Sequence, residues 1–261
     1  MSKTGYVLTI AVGNSNVLFG IFAGNKYLSK WRIETRSNRA ADEYGAWLMS
    51  IFEHVDIDPK FVSGAIISSV VPGVDKVITS MCRRFFDVEP LFVTPGIKTG
   101  MNINYGRAGD LGPDRLANIV ALNTEYGHPA LVIDFGSTTS FDVIDEKGVY
   151  QGGALAPGVA LALAALSDAA PQLPEVALLK PEKIVGRNIV ESMQSGCFWG
   201  AVEMVEGVVH RIWQEMGIED GRIIVTGGYA REMNEGLLLD TEVDTNLTLK
   251  GLKLIYDRNA L

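Results

Sequence analysis

The chain has 261 residues, 47% of them hydrophobic and 21% charged, with a formal net charge of −8. That is the composition of a folded globular chain with room for two modest domains or one large one. Its acidity argues against non-specific nucleic-acid binding, which draws on clustered Lys and Arg, and Arg83-Arg84 is its densest basic cluster.

The most apolar window, residues 154–166, carries Pro157 and Gly158 and stops well short of the ~20 residues of a membrane span. No charged stretch followed by a long apolar run opens the sequence. The expectation is a cytoplasmic protein with neither nucleic acid nor membrane as partner. Cys82 and Cys197 fit packed, reduced thiols. His54, His128 and His210 share no metal-ligand spacing, and each reads as a surface or helix-end residue.

In chain order, residues 6–11, 17–22 and 26–33 read as three strands joined by tight turns, the last at Gly24-Asn25. Residues 40–55 place Tyr44, Trp47, Leu48, Ile51 and Phe52 on one helical face. Residues 62–70 form a near-continuous apolar run ending before Pro72, the pattern of a buried parallel strand. A helix over 73–86 and a strand over 89–93 follow. The order βββαβαβ predicts a sheet with helices on its faces.

Residues 95–114 carry Gly, Asn and Pro without periodicity, a loop long enough to suggest function. A helix is expected from Pro113 to about Tyr126, then strands over 130–134, 140–144 and 149–154. The second half therefore opens with three strands, as the first does. An Ala/Leu-rich helix over 157–166 and a Pro-bearing loop over 167–181 come next. A long helix over 187–217, with or without a break near Gly196, precedes a strand over 222–225 and a last helix over 246–259.

Two stretches carry the strongest signal. Val132-Ile133-Asp134-Phe135-Gly136-Ser137-Thr138-Thr139 is an apolar strand running into a glycine turn rich in hydroxyls. Hydroxyls and free backbone N–H groups suit phosphate oxygens, and Asp134 suits a metal ion. Taken alone, it could be an ordinary hairpin. Leu8-Thr9-Ile10-Ala11-Val12-Gly13-Asn14-Ser15 repeats the pattern about half a chain earlier, with Ala11 where the second copy has Asp134. A third glycine turn, Thr226-Gly227-Gly228, follows the last strand.

No Gly-Lys-Ser/Thr occurs, and no Gly-x-Gly-x-x-Gly follows a strand, so neither a Walker loop nor a dinucleotide fingerprint is present. Two hairpin-like phosphate turns and a late Gly-Gly form the pattern of the duplicated actin-like, Hsp70 and sugar kinase superfold (ASKHA, ribonuclease H-like), an α/β fold. The expected halves are residues 1–120 and 121–261.

Further residues extend this likeness to one family. Ala11-Val12-Gly13-Asn14-Ser15-Asn16, Asn102-Ile103-Asn104-Tyr105, Gly112-Pro113-Asp114-Arg115 and Asp134-Phe135-Gly136-Ser137 occur in order. Gly152-Gly153, Gly186-Arg187-Asn188-Ile189-Val190-Glu191 and Thr226-Gly227-Gly228 follow. In these motifs, over nearly its whole length, the chain resembles the type III pantothenate kinases, which include the Bvg accessory factor-like proteins.

The resemblance implies transfer of the γ-phosphoryl of ATP to pantothenate, the first step of coenzyme A biosynthesis. It makes Asp114 the proton acceptor, and it gives Tyr105, Gly112, Pro113, Asp114, Arg115 and Ile189 to pantothenate. It assigns Ala11, Val12, Gly13, Asn14, Ser15, Asn16, Val17, Leu18, Ser137, Gly227 and Gly228 to ATP. It also implies Mg²⁺, a monovalent cation (K⁺ or NH₄⁺) on Asp134, and a homodimer. The chemistry agrees with the role of Asp114, because a carboxylate at a helix start can accept the proton of an alcohol as the phosphoryl group moves.

Ala11 stands where the family has Asp, Ile189 where it has Thr, and Gly106-Arg107-Ala108-Gly109-Asp110 departs from the family pattern. Ser15 and Ser137 stand where Thr is typical and keep the hydroxyl. Ala11 offers no oxygen to a hard cation. Two other readings therefore stay open beside the kinase: a non-catalytic paralogue with a binding or regulatory role, and a kinase for a different small hydroxyl acceptor.

Overall fold

A computed structural model describes residues 5–260. In chain order its strands and helices are β1 Tyr6–Val12, β2 Asn16–Ala23, β3 Lys26–Glu34, α1 Ala41–His54, β4 Val62–Ser69 and α2 Pro72–Phe86. There follow β5 Leu91–Phe92, β6 Asn102–Ile103, α3 Pro113–Ala121, β7 Ala130–Phe135, β8 Thr138–Ile144 and β9 Val149–Pro157. The chain continues with α4 Val159–Ala169, α5 Ile189–Met216, β10 Arg222–Thr226, α6 Ala230–Asn234, β11 Glu242–Val243 and α7 Leu247–Asn259.

These elements form two compact units. The first takes the chain as far as Gly100, then Gly106–Ala121 and the segment from Thr248 onward. Its sheet has the order β3-β2-β1-β4-β5, with β1 antiparallel to β2 and parallel to β4. Alternation along β1 sends Leu8, Ile10 and Val12 into a core with Tyr44, Leu48 and Phe52 of α1 and Val74, Ile78, Met81, Cys82 and Phe86 of α2. Trp47 and Ile51, expected on the same face of α1, pack at its margin.

Both faces of β1 are covered, which explains why its sequence is apolar apart from Thr9, whose hydroxyl donates to Gly20 O at 3.3 Å. On the face away from α1 and α2, Gly20 lies against Leu249 of α7 and Gly64 against the ring of Tyr256. The terminal helix therefore belongs to the first unit. A division of the chain at residue 120/121 assigns it to the second. Its Leu249, Leu252 and Ile255 are fully buried, as their spacing predicts.

The second unit has the sheet order β11-β10-β7-β8-β9-β6. Leu131, Ile133 and Phe135 of β7 and Phe141 and Val143 of β8 pack with Phe198, Val202, Val205 and Val209 of α5. The meander β7-β8-β9 with β10 parallel to β7 repeats the arrangement of β1-β2-β3 with β4.

Several expectations are decided or need correction. α5 runs 28 residues without a break at Gly196, because its buried Met193, Phe198, Val202 and Val205 hold the helix on the sheet. It starts at Asn188, whose Oδ1 accepts from Glu191 N–H at 3.0 Å, and stops at Gly217 in the left-handed region. The helix after Pro113 is α-helical only to Ala121 and finishes as a π-type turn, Leu122–Tyr126. The short elements β6, α6 and β11 were not expected at all, and β5 keeps only two of five expected residues.

Candidate active site

The residues expected to act fall into two groups, one in each unit. In the first, β1 runs into the turn at Gly13, whose N–H donates to Asn16 O at 2.9 Å. The Thr35 hydroxyl donates to Gly13 O at 2.7 Å, and Thr35 N–H donates to Ser15 O at 3.0 Å. The exit of β3 thereby fixes the turn and leaves Asn14 and Ser15 exposed at its tip. Val12 and Val17 are packed in the core, Ala11 is buried on the opposite face, and Leu18 is half-buried. Of the run Ala11–Leu18, Asn14 and Ser15 are exposed, Gly13, Asn16 and Leu18 are half-buried, and Ala11, Val12 and Val17 are buried.

Asp114 sits in the first turn of α3, half-buried, with Oδ1 accepting from Arg115 N–H at 2.9 Å. The helix begins with Leu116 N–H donating to Gly112 O at 2.9 Å. A Cβ at Gly112 would stand 2.6 Å from Asp114 Oδ1, so glycine makes room for the carboxylate. Pro113 supplies the fixed φ of a first helical residue. The positive end of the helix dipole favours the ionised carboxylate. Arg115 is buried in the same turn.

In the second unit, β7 delivers half-buried Asp134 to the second glycine turn. Gly136 N–H donates to Thr138 O at 2.9 Å, and Gly158 N–H donates to Ser137 O at 3.2 Å, with Ser137 exposed. β10 ends beside it, Thr226 paired with Asp134. Gly227 has φ +101°, and a Cβ there would stand 2.5 Å from both Asp134 Oδ1 and Phe135 O. Only glycine fits, and its backbone lies directly on the Asp134 carboxylate. Asp134, Ser137, Gly227 and Gly228 thus converge at the ends of neighbouring strands, where open α/β sheets bind ligands.

Tyr105 follows β6, which pairs with β9. Its ring lies 5.8 Å from that of Tyr150, and Asn104 N–H donates to Tyr150 O at 2.9 Å. Tyr150 hydroxyl in turn donates to Asp142 Oδ1 at 2.8 Å, and Ser140 Oγ lies 3.3 Å from Asp142 Oδ2. Sequence reasoning did not find this fully buried network behind Tyr105. The pairing of a buried Asp with a Tyr eight residues on was its only signal. Ile189 opens α5, 50% exposed, beside the exposed Ile184, Val185 and Val190.

Among the described residues no cluster of three or more His, Cys, Asp or Glu side chains gathers into a metal site. Asp134 is a single hard-oxygen donor next to backbone carbonyl Phe135 O, a set that suits a weakly bound monovalent cation better than a caged divalent one. No described helix is long and apolar enough to cross a membrane.

The sequence pattern of the type III pantothenate kinases matches residues 7–211. A type III pantothenate kinase of Brevibacillus brevis is 43% identical over 253 residues, covering 97% of this chain and 99% of its own. Among solved structures, a 2-dehydro-3-deoxygalactonokinase-type protein from Sinorhizobium meliloti superposes with a TM-score of 0.58 at 12% identity, covering 98% and 97% of the two chains. MreB 5 of Spiroplasma citri bound to AMPPNP gives 0.50 at 12% identity, covering 97% and 96%. These likenesses establish the duplicated actin-like fold. The match in sequence goes further: the chain belongs to the type III pantothenate kinase family.

Proposed function

We propose that the chain phosphorylates pantothenate with ATP. The primary hydroxyl of pantothenate attacks the γ-phosphorus, the bond to the bridging oxygen of ADP breaks, and the Asp114 carboxylate takes the hydroxyl proton. The observation that carries the reading is the family match over residues 7–211 together with Asp114 and Arg115 in the first turn of α3. Arg115 offers a guanidinium fork to the pantothenate carboxylate. Tyr105, Gly112, Pro113 and the apolar Ile189 line the substrate.

ATP brings its own Mg²⁺. The turn Gly13–Asn16, Ser137, Gly227 and Gly228 receive the nucleotide, and Asp134 holds K⁺ or NH₄⁺. A homodimer is part of the reading, supported by the exposed Leu155, Leu161, Leu166, Ile184, Val185, Ile189 and Val190 of the second unit. Solvent exposure of so many large apolar side chains is costly unless a partner covers them.

A coupled assay for ADP release, with pantothenate, Mg²⁺ and K⁺, tests the reading. Asp114→Asn preserves shape and removes the proton acceptor, and should cost about a hundredfold to ten-thousandfold in kcat. Turnover that survives the substitution would contradict the role of Asp114. ADP release independent of pantothenate would contradict the acceptor.

A further inference from the structure

Tyr105 ends a segment with little structure of its own. β6, the strand before it, is two residues long and forms the edge of its sheet. Its neighbour there is β9, and a single residue of β9 meets the segment three times. Tyr150 pairs with Ile103, its carbonyl accepts from Asn104 N–H at 2.9 Å, and its ring lies 5.8 Å from the Tyr105 ring. Next along β9, Gln151 Oε1 accepts from Asn104 Nδ2 at 2.8 Å. Gly152, at φ +105°, leaves bare backbone beside Tyr105, where a Cβ would stand 3.7 Å from the ring. Half-buried Tyr105 therefore has a seat made by Tyr150, Gln151 and Gly152.

The seat is itself anchored. Tyr150 is fully buried, and its hydroxyl donates to Asp142 Oδ1 at 2.8 Å. Asp142 is fully buried too, and Ser140 Oγ donates to its other oxygen at 3.3 Å. Phe141 and Val143 face α5, so Ser140 and Asp142 alternate to the opposite face of the sheet. Asp134 shares that face, since Ile133 and Phe135 face α5, and it pairs directly with Ser140. Stability alone does not require a buried carboxyl and hydroxyl here, because two apolar side chains of the same shape would serve about as well. What the pair adds is direction. A hydrogen bond at the far end of the Tyr150 ring fixes its tilt and its place on the sheet. The residue resting against that ring is Tyr105.

We infer that Tyr150 and Asp142 are positioning residues for the acceptor: they fix the ring of Tyr105, and so set the affinity for pantothenate without setting that for ATP. The inference rests on the kinase reading given above, in which Tyr105 lines the substrate. Being fully buried, neither residue touches pantothenate, and both act through Tyr105.

The test is steady-state ADP release with pantothenate and ATP varied in turn. Tyr150→Phe keeps the ring and removes its anchor. It should raise KM for pantothenate about tenfold, the value of one buried hydrogen bond, and leave KM for ATP within about twofold of native. KM does not depend on how much of the sample is folded, so a loss of stability alone would not move it. Asp142→Asn keeps an oxygen for the Tyr150 hydroxyl, and both KM values should stay within about twofold of native. Asn104→Ala cuts the exposed edge of the seat and leaves the buried pair in place, so it reads the seat without disturbing the core. It should raise KM for pantothenate about threefold. In a Tyr105→Ala background, Tyr150→Phe should add no further rise. A native KM for pantothenate in Tyr150→Phe or Asn104→Ala would overturn the inference and leave the kinase reading intact. So would an equal rise in KM for ATP, a full rise in Asp142→Asn, or a further rise in the Tyr105→Ala background. A native chain without pantothenate-dependent ADP release would overturn both.

Discussion

The two halves build the same device and equip it differently. Each has an antiparallel meander with a parallel fourth strand, and each runs its first strand into a glycine turn. In the second half, Asp134 closes the strand beside Thr226, with Gly227 laid on its carboxylate. In the first, Ala11 closes it beside Ser68, and the turn is held by the backbone and the Thr35 hydroxyl. The turn geometry is therefore set by backbone bonds and needs no carboxylate. The carboxylate is a separate layer, and of the two strand ends only that of the second half carries one.

That asymmetry can be broken by experiment. Asp134→Ala would make the two strand ends alike, and should lower kcat about a hundredfold to a thousandfold and abolish the dependence on K⁺. Kinetics measured across a series of monovalent salts would check it. Unchanged salt dependence would dissociate Asp134 from the cation.

The turns themselves should respond unequally to a methyl group. Gly227→Ala meets a left-handed backbone and two oxygens at 2.5 Å, and should cost about 3 kcal/mol in urea unfolding. Gly13→Ala meets only Asn16 O at 3.2 Å, at no left-handed φ, and should cost about 1 kcal/mol or less. Equal losses would mean that the two turns are held in the same way. Smallest of all, Thr35→Val removes the hydrogen bond to Gly13 O, and should cost about 1 kcal/mol while the second unit is untouched. Amide exchange confined to β1, β2 and β3 would register that change.

Much of this was legible in the sequence because the signals are local. Apolar strand-forming runs with glycine at the turns located β1, β2, β7 and β8, and the 3.6-residue spacing of Tyr44, Leu48 and Phe52 located α1. Gly196 was ambiguous for the same reason. Locally it reads as a breaker, but the helix is kept continuous by its buried Met193, Phe198 and Val202. α7 looked like the end of the second half, and only its packing on Gly20 and Gly64 ties it to the first. The motif Gly112-Pro113-Asp114-Arg115 was readable as a family pattern. Physically, it becomes specific only through Gly112, whose missing Cβ makes room for the carboxylate. The placement of Ser68 beside Ala11 and of Tyr105 against Tyr150 arises from strand pairing across long stretches of sequence, which no local pattern encodes.

In the kinase reading the chain phosphorylates pantothenate with Ala11 in place. The most direct measurement is mass-spectrometric detection of phosphopantothenate, formed with equimolar ADP, by the native chain and by Ala11→Asp under Mg²⁺ and K⁺. The native chain should form product, and Ala11→Asp should raise the rate about tenfold, the value of one added charged contact to the metal. A silent native chain beside an active Ala11→Asp variant would contradict the reading, and would mean that losing the first carboxylate had ended catalysis.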